Sequence, residues 1–208
     1  MRNLTLTVVV LLAALPLCAA AAGVGEPVVR VNVTYQEHDP FLPWQKRSPS
    51  VRSGFGTVID GTHVLTTEKL VRNHTLIELQ LARSGENITT TVVKADPQVG
   101  LALLHVADTN ALAGLEQLAP AENAPESGSV EIIQIDETSG IQRGDGQLVK
   151  ALVDGLPDTP YSALQYDVLT DLNVDGNVAP VVIEKQLAGI VLSYSRSSRT
   201  GKMLPAVY

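Results

Sequence analysis

The chain has 208 residues, 45% of them hydrophobic and 18% charged, with a formal net charge of −7. That length and apolar content supply a sizeable core and exclude a disordered or fibrous chain. The acidic balance, with no Lys/Arg cluster to offset it, excludes broad binding to a nucleic-acid backbone.

In chain order, residues 1–22 come first: early Arg2, an apolar run from Leu4 to Leu17, and small residues Ala19 to Ala22. This is the layout of a cleavable secretory signal, and the run is short for a bilayer span, so no stable membrane anchor is expected after cleavage. The mature chain is expected to be exported, periplasmic or secreted. Cys18, the single cysteine, leaves with such a signal. Disulfides, thiolate metal sites and a cysteine nucleophile are then excluded, and the bulky Leu17 before it argues against a lipid-modified cysteine.

Apolar and β-branched runs follow at short intervals: Val28 to Tyr35, Gly54 to Ile59, His63 to Thr67, Leu76 to Leu81, Ile88 to Ala95 and Leu101 to Val106. Gly, Pro, Asn and Asp separate them, and several alternate as strands do, as in Val29-Arg30-Val31-Asn32-Val33. Thr109 to Leu118 is the one stretch with a weak helical pattern. Leu118 to Ser129, LAPAENAPESGS, has no period and suits a connection between lobes. A second series covers Val130 to Ile135, Gln147 to Val153, Leu164 to Leu169, Pro180 to Ile183 and Leu187 to Ser193. The pattern predicts an all-β chain of two packed barrels or a pair of sandwiches, with closure removing exposed edges.

Other polar features point to no chemistry. His38, His63, His74 and His105 lack ligand spacing, so no metal is expected. Asp136 to Gly146 lacks the alternating oxygen ligands and final Glu of a calcium loop and reads as a flexible loop. Arg196-Ser197-Ser198-Arg199 reads as a solvated turn. Asn-x-Thr triplets at Asn32, Asn73 and Asn87 matter only in a eukaryotic secretory pathway. No Walker loop, dinucleotide fingerprint, HExxH motif or internal repeat is present, and no cofactor is expected.

Three segments do carry a resemblance. Ser53 to Val71, SGFGTVIDGTHVLTTEKLV, resembles the first catalytic segment of the Deg/HtrA-type, trypsin-like serine proteases, and Pro43-Trp44-Gln45 upstream is similar to their plant-type subgroup. Val92 to Leu104, VVKADPQVGLALL, is similar to the segment that carries the family's aspartate. Asn173 to Val182, NVDGNVAPVV, is similar to the segment that carries its serine. Met203-Leu204-Pro205-Ala206 resembles the family's sequence just after the last strand.

The resemblance implies a fold of two packed Greek-key β-barrels. On it, residues 23–52 lead into the first barrel, 53–118 form that barrel, 119–129 link the lobes and 130–208 form the second, with no PDZ domain to follow. It also implies that all three catalytic positions are replaced. Lys69 stands where the histidine base would be, Gly100 where the aspartate would be and Asn177 where the nucleophile would be; a one-residue shift puts Val178 there instead. Asp96 matches an acidic residue of the family that is not part of its triad. Around the oxyanion turn stand Asp175, Gly176, Val178 and Ala179: Asp175 takes the place of a family glycine, and Val178 and Ala179 take the places of two small residues.

A serine attacks a carbonyl only if a base takes its proton and a third group orients that base. Neither glycine nor asparagine can serve in those roles, so catalytic residues are expected to be absent. The implied function is a non-catalytic homologue that binds protein or peptide, alone or as a homo-oligomer. The alternatives are an active serine endopeptidase of the same family and a structural subunit that regulates an active paralogue in a hetero-oligomer.

Overall fold

The computed structural model describes residues 25–81, 85–123, 125, 127–136, 140–156, 160–174 and 178–206. The expected export signal, residues 1–22, and the candidate site residues Asp175, Gly176 and Asn177 lie outside the described residues.

Period-two alternation produces the strands. In β1 (Val28–Tyr35), Val29, Val31 and Val33 are fully buried while Arg30 and Asn32 turn to the other face. After it come β2 (Ser50–Val58), β3 (His63–Thr67), a four-residue helix α1 (Glu68–Val71), β4 (His74–Gln80), β5 (Asn87–Asp96) and β6 (Leu101–His105). These six strands close into an antiparallel barrel in the order β1-β2-β3-β6-β5-β4. The fourth strand returns beside the first, which is the Greek-key connection. β7 (Gly128–Ile135), β8 (Ile141–Gly155), β9 (Ser162–Thr170), β10 (Ala179–Ile183), β11 (Gln186–Ser195) and β12 (Thr200–Pro205) close a second barrel in the order β7-β8-β9-β12-β11-β10. The two barrels share one topology although their sequences show no repeat. Alternation sets strand and register, and residue identity is free to diverge.

Several expectations change. Barrel 1 begins at Val28, because β1 pairs with both β2 and β4; the boundary at residue 53 followed the motif rather than the strand pattern. Residues 141–146 are not loop but the first part of β8, paired residue by residue with β7. Glycines and an arginine there hid the strand: a Cβ on Gly144 would come within 2.9 Å of Leu172, and one on Gly146 would sit tightly at 3.0 Å from Val130. Residues 109–118 form successive tight turns, Ala111 to Asp108, Ala113 to Asn110 and Leu115 to Leu112, rather than an α-helix. β12 escaped the sequence reading because Gly201 and Lys202 break its apolar run.

Each barrel has its own core, and a third cluster joins them. Val31, Val64, Ile77, Leu79 and Leu104 fill barrel 1, and Ile132, Val168, Val181, Val191 and Met203 fill barrel 2. Between the barrels, Val28, Leu118, Ile133, Ile135, Val178 and Leu187 are buried, with Phe55, Leu65, Val99 and Leu101 packed against them. Each such side chain removed from water contributes on the order of 1.5–3 kcal/mol. The connection is also tied at both ends, since Leu118 donates to Val58 of barrel 1 and Leu187 of barrel 2 donates to Ala119.

Arg143 on β8 adds a polar tie. It hydrogen-bonds Glu26 ahead of β1, Glu116 in the connection and Glu131 on β7. Partial burial disfavours its charge, but the three carboxylates outweigh that and hold its pKa above the ordinary arginine value.

Candidate functional site

The first candidate residue rides on the short helix that follows β3. Thr66 fixes the strand end by donating its hydroxyl to the Phe55 carbonyl at 2.8 Å. Glu68, Leu70 and Val71 are buried, which leaves Lys69 to face solvent. Glu68 is occupied by Arg72, which donates to it twice, at 3.0 and 2.6 Å. The helix can lie against β2 because Gly54 has no side chain: a Cβ there would come within 2.7 Å of Leu70 Cδ2.

The second candidate, Gly100, closes the turn between β5 and β6. Asp96 Oδ1 accepts from the Gln98 and Val99 amides at 2.8 and 3.3 Å, and the Gly100 amide donates to the Asp96 carbonyl at 2.8 Å. The Asp96 carboxylate is therefore occupied in shaping its own turn. Gly100 has φ 77°, a left-handed conformation that glycine adopts without steric cost. Its carbonyl accepts the Glu68 amide at 2.9 Å, so the Lys69 helix and the Gly100 turn are neighbours, held together by the β3–β6 pairing of Thr67 with Leu101.

The third segment enters from barrel 2. Of its candidate residues, Val178 and Ala179 are described, and both are buried. Val178 belongs to the inter-barrel cluster with Val99 and Leu101, the two residues that flank Gly100. Its amide donates to the Val191 carbonyl at 3.1 Å. A β-branched residue argues against positive φ, yet Val178 has φ 90°. Such a conformation costs on the order of 1–3 kcal/mol, and the packing of the side chain between the barrels holds it there.

Chemically, the described part of this centre is poor in catalytic groups. Lysine becomes a base through desolvation, and Lys69 is exposed. Gly100 offers no carboxylate to orient a base. Among the described residues no group of three His, Cys, Asp or Glu is placed to hold a metal. His63 pairs instead with Asp60 at 2.9 Å and faces His105 with ring centroids 5.2 Å apart.

Beside Lys69 lies a cavity of about 290 Å³ whose lining includes Arg30, Arg52, Ser53, Phe55 and Lys69. Arg30 sits 5.6 Å above the Phe55 ring and Arg52 sits 4.2 Å above Tyr35. Arg52 Nε donates to the Leu70 carbonyl at 2.8 Å, and its Nη2 donates to the Arg72 carbonyl. Burial pushes the Arg52 pKa below the ordinary arginine value, Arg72 adds to this, and the Tyr35 hydroxyl and Glu37 only partly oppose it. The sequence reading missed both arginines. The sequence marks their positions, Arg30 among the valines of β1 and Arg52 just ahead of the glycine-rich motif, but not their meeting in space.

No protein-family model matches the chain. A search of curated proteins finds the Arabidopsis thaliana mitochondrial protein named protease Do-like 3, 23% identical over 182 residues that cover 86% of this chain. The chain spans about a third of the length of that relative, 32%. Among solved structures, the active form of the Rv3671c protease from M. tuberculosis superposes with a TM-score of 0.67 at 20% identity, covering 89% of this chain and 78% of that one. The HtrA-type protease AlgW with a decapeptide gives a TM-score of 0.65 at 18% identity, covering 88% of this chain and 62% of that one. These structures share the trypsin-like arrangement of two six-stranded antiparallel barrels.

Proposed function

We propose that this chain, a distant homologue of the Deg/HtrA-type trypsin-like serine proteases, is an exported, non-catalytic scaffold that binds a peptide or protein segment beside the inter-barrel centre. The observation that carries the proposal is the pairing of an exposed Lys69 with a Gly100 turn, at the two positions where the family motifs call for a base and its orienting carboxylate. Asn177 at the nucleophile position, by the same motifs, supplies neither a hydroxyl nor a thiol. An HtrA-type relative with a bound decapeptide supports peptide as the class of ligand for this chain too. Residues 1–22 support export.

Purified protein incubated with unfolded casein is expected to leave it intact. Casein cleavage that follows the protein through successive chromatographic steps would overturn the proposal.

A second reading, a subunit of an assembly with an active paralogue, is favoured by one surface feature. The ordered loop before β2 presents Phe41 at 88% and Trp44 at 75% exposure, and Asp39 fixes it by accepting the Phe41 amide at 2.8 Å. Large exposed aromatics mark protein-contact surfaces. Sedimentation of the chain alone and mixed with a paralogue distinguishes this reading, since a free-standing binder shows no mixed species.

A further inference from the structure

We propose that the cavity beside α1 is an anion-selective subsite that receives the carboxylate of an Asp or Glu side chain from a bound peptide. This rests on the reading of the chain as a peptide-binding scaffold and names what that peptide carries.

The chain as a whole is acidic, with a net charge of −7, yet Arg30, Arg52 and Lys69 converge on one cavity whose described lining residues include no Asp or Glu. The nearest acid on α1, Glu68, is engaged by Arg72 through two hydrogen bonds and is buried away from solvent. The Arg52 guanidinium donates to neutral carbonyls, those of Leu70 and Arg72. Glu37 and Glu68 act on this partly buried charge without hydrogen-bonding it and offset its burial only in part, and such a charge gains when an anion arrives in a charge-assisted hydrogen bond. Phe55 gives the cavity an apolar wall, stacked beneath Arg30, against which the methylenes of an acidic side chain can pack. A volume of about 290 Å³ admits one side chain rather than a large ligand, being at the lower limit of small-molecule sites. The position next to Lys69 places this carboxylate beside the inter-barrel centre.

The experiment is calorimetric titration of the full chain with an acetylated, amidated hexapeptide of alternating Glu and Ala, its Gln–Ala counterpart, and inorganic phosphate. The expected result is that the Glu peptide binds at least about tenfold more tightly than the Gln peptide, with affinity falling as salt rises. Lys69→Met is expected to weaken the Glu peptide about threefold or more, and Lys69→Arg to retain it. Lys150→Met, the same loss of charge on β8, is expected to leave it unchanged. Equal affinity for the Glu and Gln peptides would overturn the anion preference while leaving peptide binding in place. Binding of phosphate without the Glu peptide would overturn it in favour of a small-anion site. Absence of all binding would overturn both the subsite and the peptide-binding reading. Mass spectrometry of the recovered peptide separates the remaining case: a cleaved peptide with its Glu preference intact contradicts the non-catalytic reading and not the subsite.

Discussion

The main-chain amide of Glu68 donates a hydrogen bond to the carbonyl of Gly100 at 2.9 Å. That bond joins the helix of Lys69 to a turn whose glycine has φ 77°, so the two candidate positions are coupled through backbone. Gly100→Asp places a side chain on this left-handed backbone and is expected to destabilise the fold by about 1 kcal/mol, read as a lower denaturant midpoint. An unchanged midpoint would show that the turn relaxes freely.

Restoring the three family residues together, Lys69→His, Gly100→Asp and Asn177→Ser, is expected not to yield casein cleavage. The Val178 side chain fills the space between the barrels beside this turn, and the family resemblance puts Asp175 at a glycine of the oxyanion turn, a position where a side chain narrows the backbone conformations open to the turn. Each oxyanion donor lost from such a turn costs on the order of 10²–10³ in turnover, so a triad on a misshapen turn gives little rate. Cleavage by the triple variant would show that the turn still forms a competent hole.

Val178 combines burial with positive φ, and the two effects are separable. Val178→Ala removes buried methyls at a cost of roughly 1–3 kcal/mol and keeps the strain. Val178→Gly removes more but relieves a backbone strain of on the order of 1–3 kcal/mol. The glycine variant is therefore expected to be at least as stable as the alanine variant in urea unfolding. If alanine were the more stable by about 0.5–1 kcal/mol, the usual cost of glycine, the φ of Val178 would not be a strain.

Arg143 gathers Glu26, Glu116 and Glu131 around one guanidinium. Its side chain is partly exposed, so solvent screening limits the loss in Arg143→Met to about 1 kcal/mol. The three glutamates then face one another unopposed, and the deficit is expected to shrink as salt rises. A deficit that is independent of salt would assign the effect to packing.

Asp60 carries a pH dependence. Burial pushes its carboxyl up, but hydrogen bonds from Thr62 and His63 outweigh this and hold it below the usual carboxylate range. A depressed folded pKa contributes stability that is fully present above the unfolded value of about 4 and is lost as pH falls through the folded value. Asp60→Asn is therefore expected to be less stable than the parent at pH 6, with the difference closing as pH falls below about 4. A difference unchanged down to pH 2 would contradict the assignment.

How much could be read from the sequence follows from what each signal depends on. Strand β1 was legible to the residue because its valines alternate with polar residues, as in VVRVNVTY, and β3 because Asp60 and Gly61 punctuate the chain just before its short β-branched run. The start of β8 was hidden because its glycines serve close packing against Leu172, Val130 and Val168, a tertiary requirement with no local pattern. Helix α1 is four residues long, too short for a helical period. Lys69 and Gly100 were singled out by motif position alone, and the structure sets their segments side by side through the Glu68–Gly100 hydrogen bond. Arg30 and Arg52 were not, because a cation-lined cavity depends on strands and helix meeting in space.

The most direct test of the central claim, that the inter-barrel centre has no activated nucleophile, is intact-mass measurement of the folded chain after treatment with an alkyl fluorophosphonate. Such a reagent phosphonylates a serine whose hydroxyl is activated by a neighbouring base, with loss of fluoride, and ignores ordinary surface serines. With Lys69, Gly100 and Asn177 at the three positions, the expected result is an unchanged mass. One adduct per chain, formed by the folded protein and prevented by prior denaturation, would contradict it.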